Sequence, residues 1–297
     1  MNKRINLVYW NKPNFGDQLS PYIINKLSGL PIQYKRGPVS VRRSIKEILK
    51  YLICNNRKAL KDMLFSWEHN IIGIGSVINL GNHKSHIWGS GFMNTDQTFH
   101  GGIACAVRGE YTNNKIISMG YSGCCVFGDP ALLLPLVYEP TPPNVKNIQI
   151  GIVPHFSEVD YFIKQYGLKY TVIDLRTFEV EKVIDEINSC QYVLSSSLHG
   201  IIVAHAYHIP CIWIQKGYIH TDGIKFYDYF SSVNIPIYEG FTDIEDILSD
   251  LSSCLNFFER YSSIALPHKS LVEIQQDLLD VAPFPVKQEY RNLLKKS

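Results

Sequence analysis

Between an apolar run that reads as a buried strand, Cys190–Leu194, and one that reads as a helix, Ile202–Tyr207, the chain places Ser195-Ser196-Ser197-Leu198-His199-Gly200-Ile201. Three hydroxyls, an imidazole and a glycine therefore share one strand-to-helix turn. At the carboxyl edge of a parallel sheet such a turn is where ligands bind. Its free N–H groups and the positive end of the helix dipole attract anions. An imidazole there can move protons near neutral pH. His199 is thus the first candidate catalytic residue, with a capping or packing role as the plain alternative. Ser195, Ser196, Ser197 and Gly200 are candidate substrate-binding positions, although serines also cap helices well.

Further candidates stand at the ends of other apolar runs. Arg108 closes one and precedes Gly109; its planar fork suits a carboxylate or phosphate, where the alternative is a surface arginine. Asp17 opens an amphipathic helix, as base, hydroxyl-orienting carboxylate or simple cap. His155 follows Pro154 at the end of a strand, and Asp129 precedes Pro130, a pairing that equally serves a turn. Lys225 leads a short amphipathic helix. The pairs His83/His86 and His205/His208 have metal-like spacing, but no cysteine or carboxylate motif completes a zinc site, so no metal is expected. Gly73-Ile74-Gly75 and Gly89-Ser90-Gly91 do not complete the dinucleotide fingerprint.

The elements that must position these residues alternate between strand and helix. Expected strands run over 5–10, 70–78, 86–92 and 102–107, with a helix to about Leu27 and short apolar segments at 116–120 and 124–128. Three prolines in Tyr138-Glu139-Pro140-Thr141-Pro142-Pro143-Asn144 cannot continue a helix or a central strand. The alternation then restarts. Strands are expected at 148–153, 170–175, 190–194, 211–214 and 236–238. Helices are expected from an N-cap at Ser157 to Tyr166, at 178–189, 226–232 and 244–255, and beyond Lys269. This pattern predicts an α/β protein with two doubly wound, Rossmann-like domains, 1–139 and 145–297, and a ligand cleft between them. The C-terminal helices are expected to pack back toward the first domain.

Within the first domain, residues 41–65 read as a basic helical insertion. Val41, Ile45, Ile48, Leu49, Leu52 and Ile53 have helical spacing, and Arg42, Arg43, Lys46, Lys50, Arg57, Lys58 and Lys61 supply charge. Either the stripe packs on the first domain with its charges solvated, or the segment rests on anionic lipid as a peripheral contact. A formal charge of +2 over 297 residues argues against a dedicated nucleic-acid binder. Seven cysteines in no scaffold pattern suit a reducing cytoplasm, and neither a signal peptide nor a membrane span is expected.

Taken in order along nearly the whole chain, several short motifs resemble the polysaccharide pyruvyl transferases, most closely the branch acting on exopolysaccharide and capsule. They are Asn14-Phe15-Gly16-Asp17, Gly73-Ile74-Gly75-Ser76, Trp88-Gly89-Ser90-Gly91-Phe92, Val107-Arg108-Gly109, Gly128-Asp129-Pro130, Pro154-His155, Ser195 to Pro210, and Lys225-Phe226-Tyr227-Asp228-Tyr229. Where many relatives carry Arg before Leu-His-Gly, this chain has Ser197. The resemblance implies a glycosyltransferase-B-like pair of domains. It also implies phosphoenolpyruvate as donor, with no other cofactor, and a sugar of a glycan or lipid-linked glycan as acceptor. The product would be a cyclic pyruvate ketal. It further implies that His199 works as acid, base or both, assisted by Asp17 or His155, with Arg108, Lys225 and the serine turn holding the donor. The competing readings are a nucleotide-sugar glycosyltransferase of similar fold, whose paired glutamates eight positions apart are missing here, and a silent glycan-binding relative.

Overall fold

Short β-branched runs with buried neighbours on both faces form parallel strands, and the chain uses nine of them among the described residues. The structure, a computed structural model, describes residues 4–36, 41–57, 60, 68–141 and 146–295. Strands β1 (Ile5–Val8), β2 (Ile32–Lys35), β3 (Asn70–Ile72), β4 (Ser85–Trp88) and β5 (Ile103–Ala106) form one sheet in the order β2-β1-β3-β4-β5. Strands β6 (Ile148–Val153), β7 (Thr171–Val172), β8 (Cys190–Ser195) and β9 (Cys211–Trp213) form a second in the order β7-β6-β8-β9. Every pairing in both sheets is parallel.

One apolar cluster runs through both sheets, from Ile5, Leu7 and Trp88 to Ile150, Ile152, Val153 and Leu194. A smaller one, with Val8, Ile72, Ile87 and Phe92, fills the other face of the first sheet. The Leu198–Ala206 helix explains much of this continuity. Its sequence is apolar on all sides, and it is buried nearly throughout, as such a helix must be. It packs against β8 and against the Pro130–Leu133 turn of the N-terminal half. The C-terminal helices Leu271–Asp280 and Gln288–Leu294 return to the first sheet. There Trp88 Nε1 donates to Leu278 O at 2.9 Å, Gln275 Nε2 donates to Leu132 O at 2.7 Å, and the Phe284 ring meets Trp88 edge-on at 4.9 Å.

Several expectations are corrected. Residues Glu110–Ser118 form a helix, so the 116–120 segment is its end and not a separate apolar element. Ile32–Lys35 is an edge strand that the sequence reading passed over. Pro236–Tyr238 forms no strand; the chain there makes only an isolated bridge further on, Ile214 to Phe241. The expected 244–255 helix is two, Ile244–Ile247 and Leu251–Arg260, because Asp250 caps the second through Ser253 N. Ser157 is not the cap of the Val159–Tyr166 helix; its hydroxyl lies 2.8 Å from His155 Nδ1, and Glu158 holds the cap position. Part of the proline-rich boundary, 142–144, and residues 58–59 and 61–65 of the basic segment lie outside the described residues.

Candidate active site

Two helix starts meet where the halves touch. After β1, Asn14 Oδ1 accepts the Gly16 N–H at 3.2 Å and caps the Phe15–Ser28 helix. Phe15 N–H donates across to Leu175 O at 2.8 Å, which ties this turn to the second sheet. After β8, the Leu198–Ala206 helix begins, with His199 in its first turn. The His199 ring lies directly against Gly16, so closely that a Cβ on Gly16 would overlap Nδ1. Gly16 is needed for close approach, not for an unusual backbone angle. His199 Nε2 is buried and has no hydrogen-bond partner among the described residues. Buried polar atoms are nearly always paired, so an orphan of this kind points to a missing ligand or a chemical task.

Lys225 brings charge to the same place. It occupies the first turn of the Ile224–Ser232 helix and is 5% exposed. Burial pushes its ammonium down to about 7; the Arg108 guanidinium pushes the same way, and the carboxylates of Glu158 and Asp17 oppose. Burial pushes Asp17 up to about 7, with Lys225 opposing. Burial, then the charges of Lys225 and Arg108, hold the His199 imidazole down at about 3. His155 is likewise lowered to about 3 by burial, Lys225 and His220. Asp17 and His199 each keep a little exposed surface, so solvent tempers these shifts. The directions follow from the enclosing protein, and at neutral pH His199 is uncharged. Asp17, His155, Glu158 and His199 therefore all lie within the field of one lysine.

Among the three serines the roles differ. The Ser195 hydroxyl lies 2.7 Å from Val153 O and 2.9 Å from Ser197 O, and it accepts the Ser197 N–H at 3.1 Å. It shapes the turn. Gly200 supports the same packing, since a Cβ there would strike Ser195 Oγ and Val153. Ser196 donates to Glu158 Oε2 at 2.5 Å and accepts the His155 N–H at 2.9 Å. Ser197 sits at the cap position, yet its side chain makes no capping bond. Of the three hydroxyls, that of Ser197 alone makes no hydrogen bond to a described residue, and it stands at the anion-attracting helix start.

Arg108 is fully buried and its fork is engaged. Nε donates to Asp228 Oδ2 at 3.0 Å, one terminal nitrogen to Ser76 Oγ at 2.7 Å, and the other to Phe92 O at 2.7 Å. Asp228 also accepts the Thr112 N–H and hydroxyl. This ion pair joins the first sheet to the Ile224–Ser232 helix. Asp129 Oδ1 accepts the Ala131 N–H at 2.9 Å and caps the Pro130–Leu133 turn, while its Oδ2 is buried with no partner among the described residues. Burial holds its carboxyl up at about 6, against the Ala131 N–H and Arg108.

A family model described as polysaccharide pyruvyl transferase matches residues 14–218. The chain belongs to the polysaccharide pyruvyl transferase family. The matched span begins at the cap Asn14 and includes Asp17, Arg108, Asp129, His155, the serine turn and His199. An uncharacterised protein of Acanthamoeba polyphaga mimivirus is 28% identical over 216 residues, covering 69% of this chain and 74% of that protein. No solved structure matches the chain significantly. In this pyruvyl transferase family member the structure gathers Asp17, His155, His199 and Lys225 around one point and places Arg108 and Ser195 in supporting contacts. Glu158 is the site residue that sequence reasoning missed. Its one local signal was an acid three positions after His155; its pairing with Ser196 spans 38 residues.

Proposed function

We propose that this chain transfers the pyruvyl group of phosphoenolpyruvate to two hydroxyls of one sugar in a surface-polysaccharide precursor, closing a cyclic ketal. The observation that carries the reading is the unpartnered, buried Nε2 of His199 beside Lys225 and Asp17. The reading takes the two sheets as the cores of two Rossmann-like domains, divided near residue 140 and meeting at a cleft, in the glycosyltransferase-B manner. The positive ends of the Phe15–Ser28, Leu198–Ala206 and Ile224–Ser232 helices and the Lys225 ammonium favour a small, dense anion there.

The ionisation states suggest a division of labour. Asp17, held near neutrality, keeps a proton that it can give to the donor's methylene carbon, turning CH₂ into CH₃ and making the neighbouring carbon electrophilic. His199, uncharged, accepts the proton of the first attacking hydroxyl as the new C–O bond forms. The C–O bond to phosphate then breaks, and the second hydroxyl closes the ring. Of the two hydroxyl protons, one replaces the proton given to the methyl group and one leaves with phosphate. Positioned proton transfer of this kind is worth roughly 10²–10⁴-fold in rate. The test is incubation with phosphoenolpyruvate and a panel of glycosides, reading phosphate release and a new ketal methyl signal. Turnover of a nucleotide sugar with no response to phosphoenolpyruvate would instead establish the glycosyltransferase.

A contact with the cytoplasmic face of an anionic membrane fits the same reading. No helix among the described residues is long and apolar enough to cross a membrane. Along the Val41–Ile53 helix, however, Ile45, Leu49, Leu52 and Ile53 are all exposed, Ile53 by 84%. These four positions of the stripe thus lie open while Ile48 is half-buried, and Lys46 and Lys50 are exposed beside them. An exposed apolar face flanked by lysines is the pattern of a helix that lies in a lipid interface. Flotation with vesicles containing phosphatidylserine should fall with salt and on Lys46→Glu with Lys50→Glu; no flotation at low salt would remove the idea.

A further inference from the structure

Two exposed aromatic rings flank this site at the carboxyl edge of the second sheet. Phe156, directly after His155 at the end of β6, is 48% exposed, and its ring centre lies 4.4 Å from that of His155. Tyr218 is 75% exposed, and its ring centre lies 5.6 Å from that of His220. The two segments adjoin: the Gly217 N–H beside Tyr218 donates to the Glu158 carboxylate, two residues after Phe156, Lys216 Nζ lies 4.6 Å from the Tyr161 ring centre, and Lys225 acts on both Glu158 and His155. The rings therefore border the Lys225 and His199 centre and are not scattered surface residues. Large exposed aromatics cost solubility and need a reason when they gather at a site.

The segment carrying Tyr218 and His220 is firmly held. Ile219 is buried, Thr221 Oγ1 donates to Met93 O at 2.7 Å, and Asn94 Nδ2 donates to His220 O at 3.2 Å. Thr95 N–H and Asp222 Oδ2 close the clasp at 2.7 Å. Within it His220 adopts φ 59°, a left-handed conformation that costs a non-glycine residue free energy. Contacts from the opposite half thus fix the direction in which His220 and its aromatic neighbour are presented. His155 Nδ1 is engaged by Ser157 Oγ, while its Nε2 makes no hydrogen bond to a described residue.

We propose that Phe156 and Tyr218 form the acceptor subsite, receiving one pyranose ring by stacking, with the His155 and His220 imidazoles bonding its hydroxyls. An aromatic face suits the apolar C–H face of a pyranose, and imidazole nitrogens form hydrogen bonds with hydroxyls. The subsite rests on the pyruvyl-transfer reading for which hydroxyls react, but its sugar binding can be tested without turnover. Methyl glycosides of galactose, glucose and mannose, observed by saturation-transfer-difference NMR with the whole chain, should show transfer to the ring C–H protons of at least one. Phe156→Ala and Tyr218→Ala should each lower that signal several-fold and raise the acceptor KM about tenfold, leaving donor KM and kcat near wild type. Phe156→Tyr should restore both. Both positions are surface-exposed, so thermal melting should be unchanged. Sugar binding that the two variants leave intact, or no binding to any of the three glycosides, overturns the subsite. If the sugars bind as stated and phosphoenolpyruvate is never turned over, the donor assignment fails and the subsite stands.

Discussion

His199 and His205 sit on one helix, one at each end, and differ in almost everything that decides a role. His205 is fully buried, with Nδ1 3.0 Å from the Tyr229 hydroxyl and Nε2 3.1 Å from Ala265 O. Every polar atom of its ring has a protein partner. His199 has a buried Nε2 with none and a Nδ1 pressed on Gly16. Both are held uncharged by burial, at about 4 and about 3. A lowered pKa therefore does not separate a structural histidine from a working one; the census of partners does. The same contrast runs through the charges. Arg108 and Asp228 satisfy one another, whereas Lys225 has no ion-pair partner within contact distance among the described residues.

The largest effect expected is on the satisfied side. Arg108→Ala leaves Asp228 buried and unpaired, which costs about 3–5 kcal/mol. Urea unfolding should show this as a large fall in midpoint. A folded, stable Arg108→Ala with weakened donor binding alone would move Arg108 to the working group. His205→Ala should cost about 2–4 kcal/mol, through a cavity and an unpaired Tyr229 hydroxyl, with kcat of the folded protein little changed. His199→Ala should do the reverse. Its kcat falls roughly 10²-fold or more, while melting and donor affinity stay close to wild type. Equal kcat losses in both histidine variants would erase the comparison.

Smaller effects test the unpaired charges. Lys225 and Asp17 both titrate near 7. Above that pH Lys225 loses its positive charge and Asp17 gains a negative one, so both changes oppose an anionic donor. Phosphoenolpyruvate affinity should fall up to about tenfold per pH unit as pH rises through 7, with proton uptake on binding. Calorimetry in buffers of different ionisation heat reads the uptake, and Lys225→Gln should flatten the profile. The smallest effect has the opposite sign for stability. The folded pKa of Asp17 lies above its ordinary 3.8. The fold thus bears a cost for the ionised form that grows as pH rises and is complete above 7. Asp17→Asn should raise Tm at about pH 8 by roughly 2–4 °C, lose that advantage near pH 4, and reduce turnover.

Legibility in the sequence followed the range of the interaction. The β6 and β8 strands read correctly because their apolar runs need only a parallel neighbour on each side. Ile32–Lys35 escaped notice because an edge strand carrying Gln and Lys has no such run. The Glu110–Ser118 helix was hidden by its polar first turns, whose purpose is Thr112 binding Asp228 from another element. In the site, His199, Asp17 and Lys225 stood out by chemical type and motif order. Arg108 stood out too, but its partner lies 120 residues away. No local pattern reports whether a guanidinium is open or already held.

The return of the last helices to the first sheet has a consequence for synthesis. Trp88, at the end of β4, finds its indole acceptor at Leu278 and its aromatic neighbour at Phe284. Leu27 O receives its bond from Lys287 N–H at 2.9 Å. As the chain leaves the ribosome, the N-terminal sheet is complete long before these contacts exist, and its tryptophan face stays open to water and to other nascent chains. The 271–294 segment therefore acts as a closing seal. Emergence of that segment, not completion of the first sheet, is the moment at which this half of the molecule can become native.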